Sequence, residues 1–505
     1  MDKRRREFFD ALGIFCVISI IVYVVIRAVL LSSAAYKGTE KIFGVILICG
    51  ELFVVMHGLG YVLNILKILN YPQKPEIAKS EDKEEPSVAI LVAARHEPKE
   101  VLRDTFITLC NLNYKNKAVY FLDDSSDEKH KQEADEIKQA CNLTLFRRQQ
   151  SRGAKAGIIN DCLKTLGQKY VAIFDADQNP LPDFLKVVIP ILEADENLAF
   201  VQTPQFYSNI SSSMVARGAA FQQAVFYEYI CEGKSISDSM FCCGTNVVFR
   251  KNALVDVGGL DESTVTEDFA TSIKLHAKGW KSLYFDHVYA FGMGPESLSG
   301  YFKQQFRWAS GTISVFRKLI IRLFTKPFSL RLHQWWEYFL SSSYYLVGIA
   351  FLIMMICPVA YLLFKIPSFF ASPEIYFLAF MPYIVLSLSV FYFVLKNRNY
   401  KIRDLFIGQL LGEVTATVYM RATISALLGS KASFGITGKE ANAKAMSYIR
   451  LWPQLSLFFL SFIACVWGIN RYIYEREAAI LVNSFWAGYD FLVMSSVFYF
   501  NRDVK

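Results

Sequence analysis

The sequence predicts an α/β domain inserted between two groups of membrane-spanning α-helices. Three observations support this fold class. The 505 residues are 53% hydrophobic yet 20% charged, which is too apolar for an ordinary soluble protein and too charged for a wholly membrane-embedded one. Long apolar runs cluster at both ends of the chain. Between them, short β-branched runs alternate with helical segments, the pattern of a buried sheet with helices on its faces.

Six segments are long and apolar enough to be membrane spans, which need roughly 20 mostly apolar residues. The first run is long for a signal peptide and a second span follows it, so we expect a retained anchor. The six predicted spans are 12–31, 43–65, 335–364, 375–395, 451–469 and 479–500.

Basic residues predict how the chain is oriented. The run of Lys3, Arg4, Arg5 and Arg6 precedes the first span, and positive flanks stay in the cytosol. Two spans then return the chain to the cytosol, so the central domain is expected there, with the whole protein in the plasma (inner) membrane. The same bias explains the net charge of +8 without nucleic-acid binding, and it makes membrane lipid the expected partner.

Cysteine spacing gives no sign of a disulfide framework or a zinc site. The chain has ten cysteines and no C-x-x-C pair. We therefore expect the cytosolic cysteines to be reduced thiols.

The three predicted strands of the central domain each run into polar residues. The apolar runs 87–94, 117–122 and 170–174 read as buried parallel strands. The second is followed by Asp123 and Asp124, and the third by Asp175, Ala176 and Asp177. A single aspartate there is often a turn former or a helix cap. Two strands that each end in two carboxylates indicate a ligand site, because ligands of such sheets bind beyond the strands' carboxyl ends.

The Asp175-x-Asp177 pair is a candidate metal site. Mg²⁺ and similar hard cations prefer oxygen ligands and are usually held by one or two carboxylates plus substrate phosphates. Such a metal neutralises charge on a departing diphosphate. Lys155 lies in a short glycine-containing segment and is a candidate second positive charge, although a solvated loop lysine is the commoner alternative.

Two further motifs follow in order along the chain. They are Thr266-Glu267-Asp268 and Gln304-x-x-Arg307-Trp308, the second just before the third predicted span. The order D, D-x-D, T-E-D, Q-x-x-R-W resembles that of the processive family 2 glycosyltransferases, which include cellulose, chitin and hyaluronan synthases. Two further segments are similar to segments of the cellulose synthases. They are Thr203-Pro204-Gln205 and residues 241–246, which contain an F-x-C-G phrase.

The resemblance implies a GT-A (Rossmann-like) catalytic domain and a nucleotide-sugar donor. Ala93, Glu97 and Asp123 are expected around the uridine. Lys155 and Cys243 are expected to contact substrate, Lys155 near the diphosphate. Asp175 and Asp177 are expected to bind the sugar nucleotide and Mg²⁺ or Mn²⁺, with Asp177 as the direct ligand. Arg95-His96 departs from the Tyr-Asn usual in bacterial relatives.

A glycosyl transfer with inversion needs one general base for the acceptor hydroxyl. Asp268 is the candidate, with Glu267 beside it in a supporting role. Their alternative role is structural, since Asp268 or Thr266 could cap the following helix.

The Q-x-x-R-W motif is expected at the acceptor end of the site. In the family that this chain resembles, the Trp308 position holds the acceptor end of the polymer. Gln304 and Arg307 share a helical face and could meet the diphosphate. A membrane-interface aromatic and a lipid-headgroup contact are the alternatives for Trp308 and Arg307.

Residues 402–428 are apolar but carry a polar stripe, which predicts an amphipathic helix in the membrane interface. The loop after it resembles the F-x-V-T-x-K gating loop of cellulose synthases, which implies that Phe434, Thr437 and Lys439 lie near UDP. The stripe residues are Asp404, Gln409, Glu413, Thr417, Arg421 and Ser425.

These features divide the chain into seven predicted parts. They are the N-terminal tail with the first two spans (1–70), the catalytic domain (71–292), interface helices with Q-x-x-R-W (293–331), the third and fourth spans (332–398), the amphipathic interface helix (399–430), the gating loop (431–446) and the last two spans with a short tail (447–505).

The resemblance predicts a processive inverting glycosyltransferase. It is expected to polymerise a β-glucan from UDP-glucose at the cytosolic face and to secrete the growing polysaccharide through its own transmembrane channel. The linkage stays open, and a five-residue tail predicts no C-terminal cyclic-dinucleotide-binding domain. The alternatives are a hyaluronan- or chitin-type synthase using UDP-N-acetylglucosamine, a non-processive lipid-linked glycosyltransferase, and a non-catalytic sugar-binding transporter.

Overall fold

A computed structural model describes the elements of this chain. It covers residues 3–33, 38–71, 75, 84–369, 372–430 and 444–503. The strands are β1 (Val88–Ala94), β2 (Lys117–Asp123), β3 (Thr144–Phe146), β4 (Tyr170–Phe174), β5 (Asn179–Pro180), β6 (Leu198–Gln202), β7 (Phe206–Tyr207), β8 (Val247–Arg250), β9 (Lys281–Tyr284) and β10 (Ala290–Gly292).

The α-helices are longer at both ends of the chain than in its centre. They are α1 (Lys3–Ser33), α2 (Gly38–Asn70), α3 (Lys99–Cys110), α4 (Glu128–Cys141), α5 (Ala154–Leu163), α6 (Phe184–Ala194), α7 (Met214–Val225), α8 (Glu232–Ile236), α9 (Lys251–Asp256), α10 (Glu267–Ala277), α11 (Leu298–Thr325), α12 (Leu332–Ser343), α13 (Val347–Phe364), α14 (Pro373–Asn397), α15 (Ile402–Val414), α16 (Ala416–Leu427), α17 (Trp452–Glu475) and α18 (Ala478–Phe500).

The central sheet has seven strands in the order β3-β2-β1-β4-β8-β6-β9. The three predicted strands are β1, β2 and β4, and both β2 and β4 run parallel to β1. The sheet is nevertheless mixed, because β8 is antiparallel to β4 and to β6. A second, three-stranded sheet has the order β5-β10-β7.

Side chains of β1 alternate between two cores, one on each face of the sheet, as the pleat requires. Val88, Ile90 and Val92 pack in the core that includes Phe106 of α3. Ala89 and Leu91 pack in the other core, with side chains from α5 and α9. A strand that is buried on both faces reads as a continuous apolar run, which is why the sequence located β1, β2 and β4 to within a residue at each end.

Six helical segments are long and apolar enough to cross a membrane, within the described part of the chain. They confirm the six spans that were predicted. They are Lys3–Ser33, Gly38–Asn70, Leu332–Phe364, Glu374–Lys396, Tyr448–Glu475 and Ala478–Phe500.

Residues 402–428 form two helices and not the single amphipathic helix that was expected. The break is at Thr415, whose Oγ1 donates to the Leu411 carbonyl oxygen at 2.6 Å, a local bond that bends helices. Much of the polar stripe faces protein, because Asp404 accepts from Arg217 at 2.7 Å and Tyr489 donates to Glu413 at 3.1 Å.

A buried ionic cluster joins α2, the second candidate span, to the region around α8 and α12. The carboxylate of Glu337 accepts from Lys67 at 2.7 Å and from Lys234 at 2.8 Å. The side chains of Lys234 and Glu337 are each only 2% exposed. Removing one partner of such a buried pair is strongly destabilising, so this cluster fixes α2 beside the segment that leads to the candidate site.

Candidate functional site

Two of the predicted acidic residues lie directly beyond the carboxyl end of β4. The backbone N–H of Asp175 donates to Thr245 Oγ1 at 2.9 Å. Asp177 is buried and accepts a hydrogen bond from the backbone N–H of Met293 at 3.3 Å. Both residues therefore lie at the sheet edge where ligands of such folds bind.

Lys155 is held between this acidic pair and the neighbouring loop. Its Nζ forms an ion pair with Asp175 and donates to the Gly244 carbonyl oxygen at 2.7 Å. Burial lowers the pKa of Lys155, but the carboxylates of Asp175 and Glu267 outweigh it and raise that pKa above its usual value. Lys155 is thus a permanently charged group in the site, and not the solvated loop lysine of the alternative interpretation.

The aspartates after β2 are paired with two arginines that the sequence analysis did not single out. Arg147 Nε donates to Asp123 at 2.7 Å. Arg148 makes two hydrogen bonds to Asp124, at 2.9 and 2.7 Å, the bidentate geometry that arginine suits. A possible signal was their place in a basic segment that also contains Arg152 and leads into Lys155.

Helix α10 begins at the T-E-D motif, in which Glu267 is buried and Asp268 is partly buried. Asp268 Oδ1 accepts from the backbone N–H of Phe269 at 2.8 Å. Among the described residues, neither Glu267 nor Asp268 has a salt bridge. Burial raises the pKa of both carboxyl groups, and Asp175 raises that of Asp268 further, against the opposing effect of Lys155.

Gly244 lies between Lys155 and Asp268 and is close to both side chains. The glycine has φ +82°, and a Cβ built there would lie 2.9 Å from Asp268 Oδ2. A side chain at this position would be strained by the backbone conformation and would crowd the carboxylate. The close approach of this loop therefore depends on glycine, and it places a lysine-bound carbonyl beside the candidate base.

Helix α11 places the Q-x-x-R-W residues beside the T-E-D motif at the start of α10. A Cβ on Gly311 would lie 2.6 Å from Thr266 Cγ2, so the helix packs tightly on the T-E-D segment. Gln304 and Trp308 line one cavity with Asp268. Arg307 lies close enough to Asp268 to lower the pKa of that carboxyl group.

The cavity extends from the site towards the membrane helices. It has a volume of about 570 Å³, and its lining includes Asp268 and Trp308 at one end and Phe351, Glu413 and Tyr419 from α13, α15 and α16. A second cavity of about 330 Å³ shares Phe351 and Glu413 with the first. Its lining comes largely from the candidate spans, so the two cavities together lead from the site into the membrane region.

The remaining predicted residues fall into three groups. Ala93, near the end of β1, and Glu97, just beyond it, are partly buried, and Asp123 pairs in register with Ala94 at the same sheet edge. Cys243 lines the larger cavity. The predicted gating-loop residues Phe434, Thr437 and Lys439 lie outside the described residues.

Two family models match the chain and overlap over residues 252–311, which contain both the T-E-D and the Q-x-x-R-W motifs. Residues 86–311 match "Glycosyltransferase like family 2", and residues 252–501 match "Cellulose synthase". The first therefore covers the sheet and its carboxylates, and the second covers the T-E-D and Q-x-x-R-W motifs with the later membrane helices.

Curated relatives agree with both models. The chain is 26% identical over 483 residues to the cellulose synthase catalytic subunit [UDP-forming] of Pseudomonas fluorescens, covering 90% of this chain and 62% of the relative. It is 26% identical over 489 residues to cellulose synthase 1 catalytic subunit [UDP-forming] of Komagataeibacter xylinus, covering 92% of this chain and 63% of the relative. The chain thus spans about three fifths of the length of these relatives.

One solved structure shares the fold. A mannosyltransferase from Pyrobaculum calidifontis, in complex with GDP-Man and Mn²⁺, superposes with a TM-score of 0.54 at 16% identity, over 76% of this chain and 99% of that one. With the mixed sheet, this confirms the GT-A-like fold. The fold, the site and the six candidate spans define a multi-pass membrane protein of the glycosyltransferase class. Within that class, the chain belongs to the cellulose-synthase-like members of glycosyltransferase family 2.

Proposed function

We propose that this protein is a processive, inverting glycosyltransferase that builds a β-glucan from UDP-glucose and secretes it through its own membrane channel. The observation that carries the proposal is the cavity that Asp268 and Trp308 share with Phe351 and Glu413. One continuous space joins the candidate base to helices of the membrane region. A non-processive transferase has no need of such a connection, whereas a polymer made at one end could leave by the other.

The donor end of the site is built from paired charges. Asp175 and Asp177 offer oxygen ligands at the end of β4, a donor set that fits Mg²⁺ or Mn²⁺, which when bound would stabilise negative charge on the departing diphosphate. Lys155 contributes a fixed positive charge beside them. The residues at the ends of β1 and β2, Ala93, Glu97 and Asp123, hold the uridine.

Asp268 accepts the proton in the transfer step. The acceptor hydroxyl oxygen attacks the anomeric carbon as its proton passes to the Asp268 carboxylate, and the bond from that carbon to the diphosphate oxygen breaks, so UDP leaves. The carboxylate is partly buried and has no salt bridge in the described chain, which suits a base better than a binding group. Glu267 is buried beside it, and burial together with the negative charge of Asp268 raises the pKa of Glu267.

The acceptor end of the site is formed by α11. The Trp308 ring offers a flat apolar face on which a sugar can stack without each hydroxyl being read. Gln304 Oε1 is buried without a hydrogen-bond partner in the described residues, and buried polar atoms normally have one. It is therefore available to a sugar hydroxyl or a phosphate-bound water, while Arg307 stabilises the diphosphate.

The test is a panel of UDP-sugars supplied to membrane vesicles that contain the protein, with Mg²⁺ or Mn²⁺. We expect polymer from UDP-glucose, with linkage-specific glycanases and methylation analysis identifying the product. Incorporation from UDP-N-acetylglucosamine alone would replace the donor and indicate a hyaluronan- or chitin-type synthase. Products of one or two added sugars on lipid would overturn processivity.

A further inference from the structure

A second group of metal-ligating side chains lies apart from the D-x-D pair, on the loops after β1 and β2. His96, Asp127 and His130 each present one ligand atom, and these three atoms lie within 4.8 Å of one another. His96 Nε2 is 3.0 Å from Asp127 Oδ2. His130 Nδ1 is 2.8 and 2.9 Å from the two oxygens of Asp127.

We propose that His96, Asp127 and His130 form a transition-metal site, best suited to Zn²⁺, that bridges the loop after β1 to the start of α4. Two imidazoles and one carboxylate are a set that zinc and related metals prefer, whereas Mg²⁺ prefers oxygen ligands alone. Zinc binds nitrogen and oxygen at about 2.0–2.2 Å, so its ligand atoms lie roughly 3.3 Å apart. The nitrogen–oxygen separations here, 2.8 to 3.0 Å, are shorter than that value by a few tenths of an ångström.

The contacts of His96 Nε2 define what a bound ion would displace. The nitrogen accepts from the backbone N–H of Ser126 at 3.0 Å and lies 3.0 Å from Asp127 Oδ2. Its single lone pair cannot accept from Ser126 and bind a metal at the same time. An ion held between His96 and Asp127 would therefore replace the Ser126 hydrogen bond and separate the nitrogen from the carboxylate oxygen.

The local backbone holds these side chains in place before any ion binds. His96 has φ +60°, a conformation that is uncommon away from glycine and that often marks a functional position. Asp127 caps α4 through Oδ1, which accepts from the backbone N–H of His130 at 3.0 Å. Its Oδ2 remains directed at His96, so one carboxylate serves both the helix and the ion.

The site has access to solvent and room for a further ligand. The side chains of His96, Asp127 and His130 are 28%, 46% and 25% exposed. With three protein ligands, a zinc ion keeps a fourth position for water or another group. Glu97 follows His96 directly, so an ion here would stabilise the loop that carries a proposed uridine contact. The proposed metal site does not depend on that role.

The experiment uses the full chain, purified in detergent and stripped of metal, with excess Mg²⁺ present to occupy oxygen-only sites. Co²⁺ is then titrated, because its visible absorption is strong in four-coordinate sites with imidazole ligands. We expect one equivalent of Co²⁺ with this spectrum, displaced by Zn²⁺. We expect Asp127→Asn to weaken binding by about tenfold or more, while its amide oxygen still caps α4.

Two further histidine variants and one control complete the test. His130→Ala and His96→Gln should each abolish the four-coordinate spectrum, and His333→Ala, at an exposed histidine outside the cluster, should leave it unchanged. The proposal is overturned if the natural chain gives no such spectrum, or if the cluster variants bind Co²⁺ as the natural chain does. No arm requires glycosyl transfer, so these outcomes are independent of the proposed function.

Discussion

The carboxylates at the rim of the sheet and those at the start of α10 lie in opposite electrostatic settings. At the rim, Asp123 and Asp124 each accept from an arginine at 2.7 Å. At the start of α10, Glu267 is buried and Asp268 is partly buried, with no salt bridge to either among the described residues. Burial without a close partner raises the pKa of a carboxyl group, and this is the direction found for both.

The difference assigns different work to the two regions. A carboxylate tied to an arginine is held in position, which suits binding and the placement of loops. A buried carboxylate with a raised pKa can take and release a proton near neutral pH, which suits a general base.

Replacing Asp268 with Asn should reduce polymer formation by about 10³-fold. The amide keeps the shape of the side chain and can still accept the Phe269 N–H, but it cannot take a proton. Incorporation of radiolabelled sugar in vesicles measures the effect. Asp256→Asn, at an exposed position on α9, is the control and should retain full activity. Polymer formation by the Asp268→Asn protein at the natural rate would rule out this residue as the base.

Gly244→Ala should lower the turnover number by about 10²-fold, since small displacements of catalytic groups cost that much. The new methyl group would meet Asp268 Oδ2 at 2.9 Å, on a backbone with φ +82°. Gly167→Ala is the matched control, because a Cβ there meets nothing within 4 Å. Equal turnover numbers for the two variants would show that the position of Asp268 does not depend on this loop.

Much of the fold could be predicted because its signals are local. The strands β1, β2 and β4 are continuous apolar runs, and the six spans are long apolar helices. The place of β8 could not be predicted. It runs antiparallel between β4 and β6, and the order of strands depends on contacts between residues far apart in the chain.

The site was predicted in its residue types but not in its pairings. The motif residues Asp175, Asp268 and Trp308 stood out through their order along the chain, whereas Arg148 did not. Its partner, Asp124, is 24 residues away, and an arginine in a loop gives no indication of which carboxylate it will meet. The break at Thr415 was missed for a similar reason, because a threonine inside a helix only sometimes bonds back to the preceding turn.

Arg148→Ala should raise the KM for the UDP-sugar by about tenfold while changing the turnover number little. Arg148 is only 5% exposed in its side chain, and it ties Asp124 to the segment that leads to Lys155 through hydrogen bonds to Arg152 and Ala154 carbonyl oxygens. Losing one charge-assisted bidentate contact typically costs 1.5–3 kcal/mol, or roughly ten- to a hundredfold in binding.

The KM and the turnover number, measured separately, distinguish this effect from damage to the base. Arg103→Ala, at an exposed position on α3, should change neither constant. A fall in turnover number without a change in KM for Arg148→Ala would contradict the division between a binding rim and a reactive interior.

The smallest expected effect is the pH dependence of turnover near neutrality. Burial raises the pKa of Asp268 to about 6, from an ordinary value of about 4. The base works only when deprotonated, so turnover should fall as pH drops through this value: to about half its plateau at the pKa and roughly tenfold one unit lower. Turnover at saturating UDP-sugar, measured from neutral pH downwards with thermal unfolding followed in the same buffers, separates titration from loss of structure. A plateau that continues below pH 5 in a folded protein would mean that the base titrates like an exposed aspartate, and the contrast between the two regions would lose its functional meaning.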